Sequence, residues 1–159
     1  MKVGNLNQKT QTEISERQDY TRKIIGIKSP EQSYELLTNQ IGTWWTSPES
    51  KANSIGDEPT FRFGDAFWTM KVINLEKNRV VRWKCIVAHH VDTNVPIEAI
   101  NEWEGTEIEF IIRQHEQGSE ISLTHYGLIP SLNCFTICQA GWDYYFAKTL
   151  SDVLNSPVV

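Results

Sequence analysis

Nowhere in this 159-residue chain do apolar residues run on for anything near 18 positions, so no membrane-spanning helix is expected. The first eighteen residues, MKVGNLNQKTQTEISERQ, lack the apolar stretch of a secretory signal. Cysteine is scarce, with three residues. That odd number and its lack of metal-type spacing argue against a disulfide framework and read as reduced, cytoplasmic thiols. Four catalytic signatures are also missing: GxSxG, a Walker loop, a glycine-rich dinucleotide turn and HExxH. Basic clusters are missing too. The formal charge is -5, and Glu98 to Glu120 holds seven glutamates against a single arginine. Such a segment repels phosphate backbones and anionic membranes, so neither nucleic-acid binding nor membrane insertion is expected.

What is present is an ordinary globular composition, 40% apolar and 22% charged, on a chain long enough for one real core. Residues 1–18 are polar and aperiodic and read as a leader, disordered in part. Residues 19–159 read as one domain. Lys23 to Ile27 is β-branched and predicts a first strand. Ser29-Pro30-Glu31-Gln32 follows as a capping box with proline at the first helical position, starting a helix that runs to Asn39. A second short helix is expected over Ile41–Trp45, then a Ser, Asn, Gly and Asp-rich loop from Glu49 to Glu58. Strands are predicted at Thr60–Phe63, Ala66–Leu75 and Val80–Val87, the last two forming a hairpin around Glu76-Lys77-Asn78. Ala88–Ile100 reads as an irregular connection. Alternation at Ile108, Phe110 and Ile112, then at Ile121, Leu123 and His125, predicts a second hairpin.

The longest periodic stretch is the last, Ser131 to Leu154, with Ser131 as its cap. At 100° per residue, Phe135, Cys138, Trp142, Tyr145, Phe146, Thr149 and Val153 share one side. Strand, two short helices, antiparallel strands and one long helix make an α+β layout.

Six segments carry a further likeness: Phe61-Arg62-Phe63-Gly64, Met70-Lys71-Val72, Val80-Val81-Arg82-Trp83, Trp103-Glu104-Gly105-Thr106-Glu107-Ile108, His125-Tyr126-Gly127-Leu128, and Gly141-Trp142 with Leu150. In this order they resemble the START-like, or Bet v 1-like (SRPBCC), superfamily, over the chain from Tyr20 onward. Within it the likeness is to the subgroup similar to the activator of heat-shock protein 90 ATPase. The resemblance implies a helix-grip fold, in which a curved antiparallel sheet wraps around the long C-terminal helix, with two short helices after the first strand. It also implies a hydrophobic cavity between helix and sheet, which in the superfamily accommodates lipids, sterols or polyketides. Some members are cyclases or hydrolases. The co-chaperone itself carries an additional domain that this chain is too short to contain, so a chaperone partner is not expected. A homodimer stays open.

Fold does not carry function, which rests instead on the chemistry of individual residues. A small hydrophobic ligand would meet Trp68, Met70, Trp83, Phe110, Leu123, Phe135, Trp142 and Phe146 as apolar walls. His125, Gln139, Tyr145 and Thr149 would be its polar points. His125 shares inward parity with Ile121 and Leu123. A satisfied core histidine is the stronger reading, and an acid or base, with Tyr145 as the alternative, is the second. His89-His90 with Asp92 read as solvated loop residues, and Cys134 with Cys138, four apart, as structural thiols with no histidine nearby. No metal ligand and no cofactor is assigned. Trp44 and Trp45 cannot both be buried on a short helix, which puts one at a pocket mouth or partner surface. Gly141 is expected to let the helix approach a strand. Glu102 and Glu104 could pair as acid and base, but nothing in the sequence places them inside.

Overall fold

A computed structural model describes residues 18–157. The polar leader expected over residues 1–18 therefore lies outside the described residues, Gln18 excepted. The strands are β1 (Tyr20–Gly26), β2 (Thr60–Phe63), β3 (Ala66–Glu76), β4 (Val80–His89), β5 (Glu107–His115) and β6 (Gly118–Tyr126). They form one six-stranded antiparallel sheet in the order β1-β6-β5-β4-β3-β2. Two register shifts between β3 and β4, at Thr69/Met70 and Val72/Asn74, bend the sheet. The β3–β4 turn places Asn78 at φ 64°, a left-handed conformation that asparagine tolerates better than most residues.

Helix α1 (Pro30–Thr38) begins as its sequence dictates. Ser29 Oγ accepts from the Gln32 amide at 3.2 Å, and Gln32 Oε1 accepts from the Ser29 amide at 2.9 Å. The helix buries Ser33, Leu36 and Leu37. Ser119 Oγ donates to the Lys28 carbonyl at 2.8 Å and meets Ser33 Oγ at 2.6 Å, so the buried hydroxyls satisfy one another. The expected second helix shrinks to a single 3₁₀ turn, Ile41–Thr43. Strand β1 starts three residues earlier than predicted, at Tyr20, because pairing with β6 extends to Tyr20↔His125. Strand β4 runs on to His89, shortening the irregular connection, which contains a 3₁₀ turn at Ile97–Ala99.

The last helix, α2, is built from an α-helical piece (Phe135–Trp142), a π-helical piece (Asp143–Leu150) and a final α-helical turn (Ser151–Leu154). It begins at Phe135, and Ser131 does not cap it. The cap comes from Glu102, whose carboxylate accepts from the amides of Asn133 at 3.1 Å and Cys134 at 2.9 Å. A carboxylate brought in by a distant loop outcompetes the local serine, satisfying orphan amides and complementing the helix dipole. The buried stripe also departs from the 100° wheel. Cys134, Cys138, Trp142, Phe146, Leu150 and Leu154 are buried, every fourth residue, whereas Tyr145, Thr149 and Val153 are only half-buried. An α-helical stripe at four-residue spacing drifts around the helix, and the wider π-helical turn reduces that drift. The far end is tied to β1 and the turn after it, where Asn155 Nδ2 donates to the Ile25 carbonyl and the Lys28 amide donates to the Leu154 carbonyl. The curved antiparallel sheet and the long helix laid across it make an α+β helix-grip architecture.

Candidate functional site: an aromatic cleft beside the long helix

The space between α2 and the sheet is mostly filled by rings. Trp83 packs against Phe61 at 5.5 Å and edge-on to Phe110 at 5.1 Å. Trp142 stacks on Trp103 at 6.0 Å and leans on Trp45 at 5.3 Å. Met70, Trp83, Phe110, Leu123 and Phe146 are completely buried in this packing. They are core residues and do not line the remaining cleft.

That cleft has a volume of about 110 Å³ and opens to the surface. Trp68, Trp142 and Tyr145, all expected at the site, line it. So do Trp45, Phe63, His90, Trp103, Ile137, Cys138 and Gly141, which parity did not single out for it. Trp45 fits the expectation for one member of the Trp44-Trp45 pair. Trp44 is buried, with its indole nitrogen donating to the Leu36 carbonyl, while Trp45 is half-buried at the cleft. Trp103 lay in a stretch without alternation, so no period could find it. Gly141 brings no strand close, because a Cβ added there would meet nothing within 4 Å. Its missing side chain instead leaves room along the cleft wall. Phe135 and Gln139 line a separate groove with Tyr20, Arg22 and Asp143. Thr149 turns its hydroxyl to the Tyr144 carbonyl five residues back, a bond suited to the π-helical turn.

His125 is fully buried and both ring nitrogens are engaged. Trp142 Nε1 donates to Nδ1 at 3.1 Å, so the proton must sit on Nε2, which faces Thr106 Oγ1 at 2.9 Å. Thr106 in turn donates to the Trp103 carbonyl at 2.6 Å. Burial pushes the His125 pKa down to about 3, which keeps the ring neutral. This is a satisfied core histidine, with no lone pair left for an acid–base role. Glu102 and Glu104 are likewise occupied structurally, Glu102 at the helix start and Glu104 accepting from the Ala88 amide.

His90 departs from its expected place. His89 is exposed at the end of β4, but the next residue turns inward and is buried. The His90 ring packs on Trp68 at 5.0 Å, and its Nδ1 lies 4.0 Å from Cys138 Sγ. The thiols of Cys134 and Cys138 therefore do have a histidine beside them. Their ligand atoms and the His90 ring nitrogen all lie within 4.8 Å of one another. Sharing a hydrogen bond with Cys138, together with burial, pushes the Cys134 thiol pKa up. Trp103 Nε1 donates to Cys138 Sγ at 3.2 Å. Trp68, by contrast, lines the cleft with a buried indole N–H that finds no partner among the described residues.

No protein-family model and no curated protein sequence matches the chain. Solved structures do. The Aha1 dimer of Colwellia psychrerythraea is 27% identical, with a TM-score of 0.69, over 86% of this chain and 96% of that one. The chain has the START-like, Bet v 1-like fold. A Mesorhizobium loti protein shares this START-like fold at TM-score 0.70 and 16% identity, again over 86% and 96% of the two chains. DynU16, from the dynemicin biosynthetic locus, is 12% identical with a TM-score of 0.66, and the match covers 86% of this chain but 46% of that one. Within the START-like superfamily the likeness in sequence is to the Aha1 subgroup. Among the described residues no helix is long and apolar enough to cross a membrane.

Proposed function

We propose that this START-like domain binds a small hydrophobic molecule of flat, aromatic or polyketide type in the cleft beside α2. The observation that carries the reading is the lining itself. Four indoles, Trp45, Trp68, Trp103 and Trp142, converge with Phe63 and Tyr145 on one opening. Aromatic walls favour a ligand ring that can stack or meet them edge-on. A cleft of about 110 Å³ is smaller than the roughly 300–1,000 Å³ of an ordinary ligand pocket. It is also smaller than the apolar cavity of about 150 Å³ that encloses benzene, so a single ring fits here only with one edge left in the open mouth of the cleft. One ring would enter, and the rest of the molecule would lie along the mouth beside Trp45 and Tyr145. A long saturated acyl chain fits this shape less well.

Native mass spectrometry and tryptophan fluorescence against fatty acids, sterols and aromatic polyketides test the reading. Aromatic compounds should be retained and should quench emission, and Trp45→Ala should weaken both effects. Absence of binding across the whole panel would sink the proposal.

A second reading rests on the 27% identity to a protein whose solution structure is a dimer. By that likeness this chain would pair with a second copy of itself. Light scattering behind size exclusion should then give twice the chain mass of 18.3 kDa, and a monomer at every concentration would reject it.

A further inference from the structure

The cleft wall carries one cluster whose chemistry is not aromatic. Cys134 and Cys138 lie one helical turn apart at the start of α2, so both thiols project from one face. His90 arrives from beyond β4, held in place where its own amide donates to the Ile100 carbonyl at 2.8 Å. The donor atoms of the three side chains lie within 4.8 Å of one another, and all three residues are buried. The third cysteine stays out of this cluster, its thiol donating to the Val87 carbonyl.

We propose that His90, Cys134 and Cys138 form a binding site for one thiophilic d10 metal ion, zinc or monovalent copper, with its open coordination position facing the cleft. The donor set argues for this class, because two thiols and an imidazole are soft ligands that select zinc or copper(I) over hard cations. Metal–sulfur bonds of about 2.3 Å and metal–nitrogen bonds of about 2.0 Å place donors roughly 3.5–4 Å apart around one ion. The His90–Cys138 separation of 4.0 Å is already near that value. Small side-chain rotations would bring in Cys134. The Trp103 N–H directed at Cys138 Sγ is the kind of outer hydrogen bond that orients a metal-bound thiolate. His90 and Cys138 line the cleft, which supplies both an access route and room for a fourth ligand. The inference rests on this cluster alone and stands or falls independently of any organic ligand.

The test uses the full chain, reduced and stripped with a chelator, with cobalt(II) as the spectroscopic stand-in for zinc. One equivalent of cobalt should give thiolate charge-transfer and tetrahedral d–d absorption that zinc then abolishes. If copper(I) alone binds at one equivalent, in competition with a bicinchoninate probe, the copper form of the proposal holds. His90→Ala, Cys134→Ser and Cys138→Ser should each weaken binding by at least about tenfold. Cys85→Ser should leave it unchanged. Should a variant misfold by near-ultraviolet circular dichroism, alkylation of the wild-type protein decides the matter. Bound metal should protect Cys134 and Cys138 and leave the rate at Cys85 unaltered. Failure to bind any of the three ions at one equivalent would overturn the proposal, as would wild-type affinity in the folded cysteine variants or equal alkylation with and without metal.

Discussion

Trp142 donates its indole N–H to Nδ1 of His125 at 3.1 Å, joining the middle of the long helix to the last strand inside the core. The bond fixes the tautomer of the histidine and the rotamer of the tryptophan together. Each is the other's polar partner, a pairing that inward parity does not reveal.

Trp142→Ala should therefore destabilise the domain by about 3–5 kcal/mol, the range for removing a large buried ring. Trp142→Phe keeps much of the packing but strands a buried acceptor, which should cost about 1–3 kcal/mol. Urea denaturation measures both. A near-neutral Trp142→Phe would show that the hydrogen bond contributes little.

Stability should depend on pH through His125. Its folded pKa, about 3, lies below the ordinary value of 6.5. Between the two, the unfolded chain binds a proton that the folded chain does not. Stability from this residue is thus fully present above about pH 6.5 and is lost as pH falls toward 3, with a limiting slope of about 1.4 kcal/mol per unit. Carboxylates titrate in the same window, so the measurement is a difference. His125→Gln should flatten the slope relative to wild type, and parallel pH profiles would rule the mechanism out.

Glu102 caps α2 from outside it. Replacing Glu102 with Ala removes the acceptor for the Asn133 and Cys134 amides and should cost about 0.5–2 kcal/mol. Hydrogen exchange should rise first at those amides and in the following turn. Ser131→Ala, by contrast, should be nearly neutral.

Gly26 lies against the other end of the same helix. A Cβ at this position would stand 2.5 Å from Leu154 Cγ and 2.9 Å from the Leu154 carbonyl oxygen. Gly26→Ala should therefore cost about 1–3 kcal/mol as an overpacked contact. Gly64→Ala separates this effect from backbone conformation, because Gly64 has φ 61° and open space around it.

Much of this molecule was legible in its sequence because the deciding interactions are local. The capping box at Ser29 and Gln32 spans three residues, and its partners are neighbours along the chain whatever the tertiary fold. Alternation at Ile108, Phe110 and Ile112 and at Ile121, Leu123 and His125 marked the buried face of the second hairpin, since a strand has period two in any sheet. The long helix was visible too, though not where it starts. Its cap is a glutamate some thirty residues upstream, and a local rule had only Ser131 to offer.

The tertiary structure alone decided what the site is made of. Parity says which side chains face inward, but not which of them touch one another and which border empty space. Met70, Trp83, Phe110, Leu123 and Phe146 are completely buried and belong to the ring-packed interior, while the cleft lies among Trp45, Trp68, Trp103, Tyr145 and Trp142. The π-helical turn, which keeps a four-residue stripe against the sheet, leaves no period-3.6 trace. His90 escaped the alternation of Val81, Trp83 and Cys85, because the register shift at Thr69/Met70 moves the buried face of that strand end to Ala88 and His90. Only the crossing of α2 over that strand end sets its imidazole beside two thiols more than forty residues away. Local chemistry determined the elements, and the packing of one helix across a bent sheet determined the site.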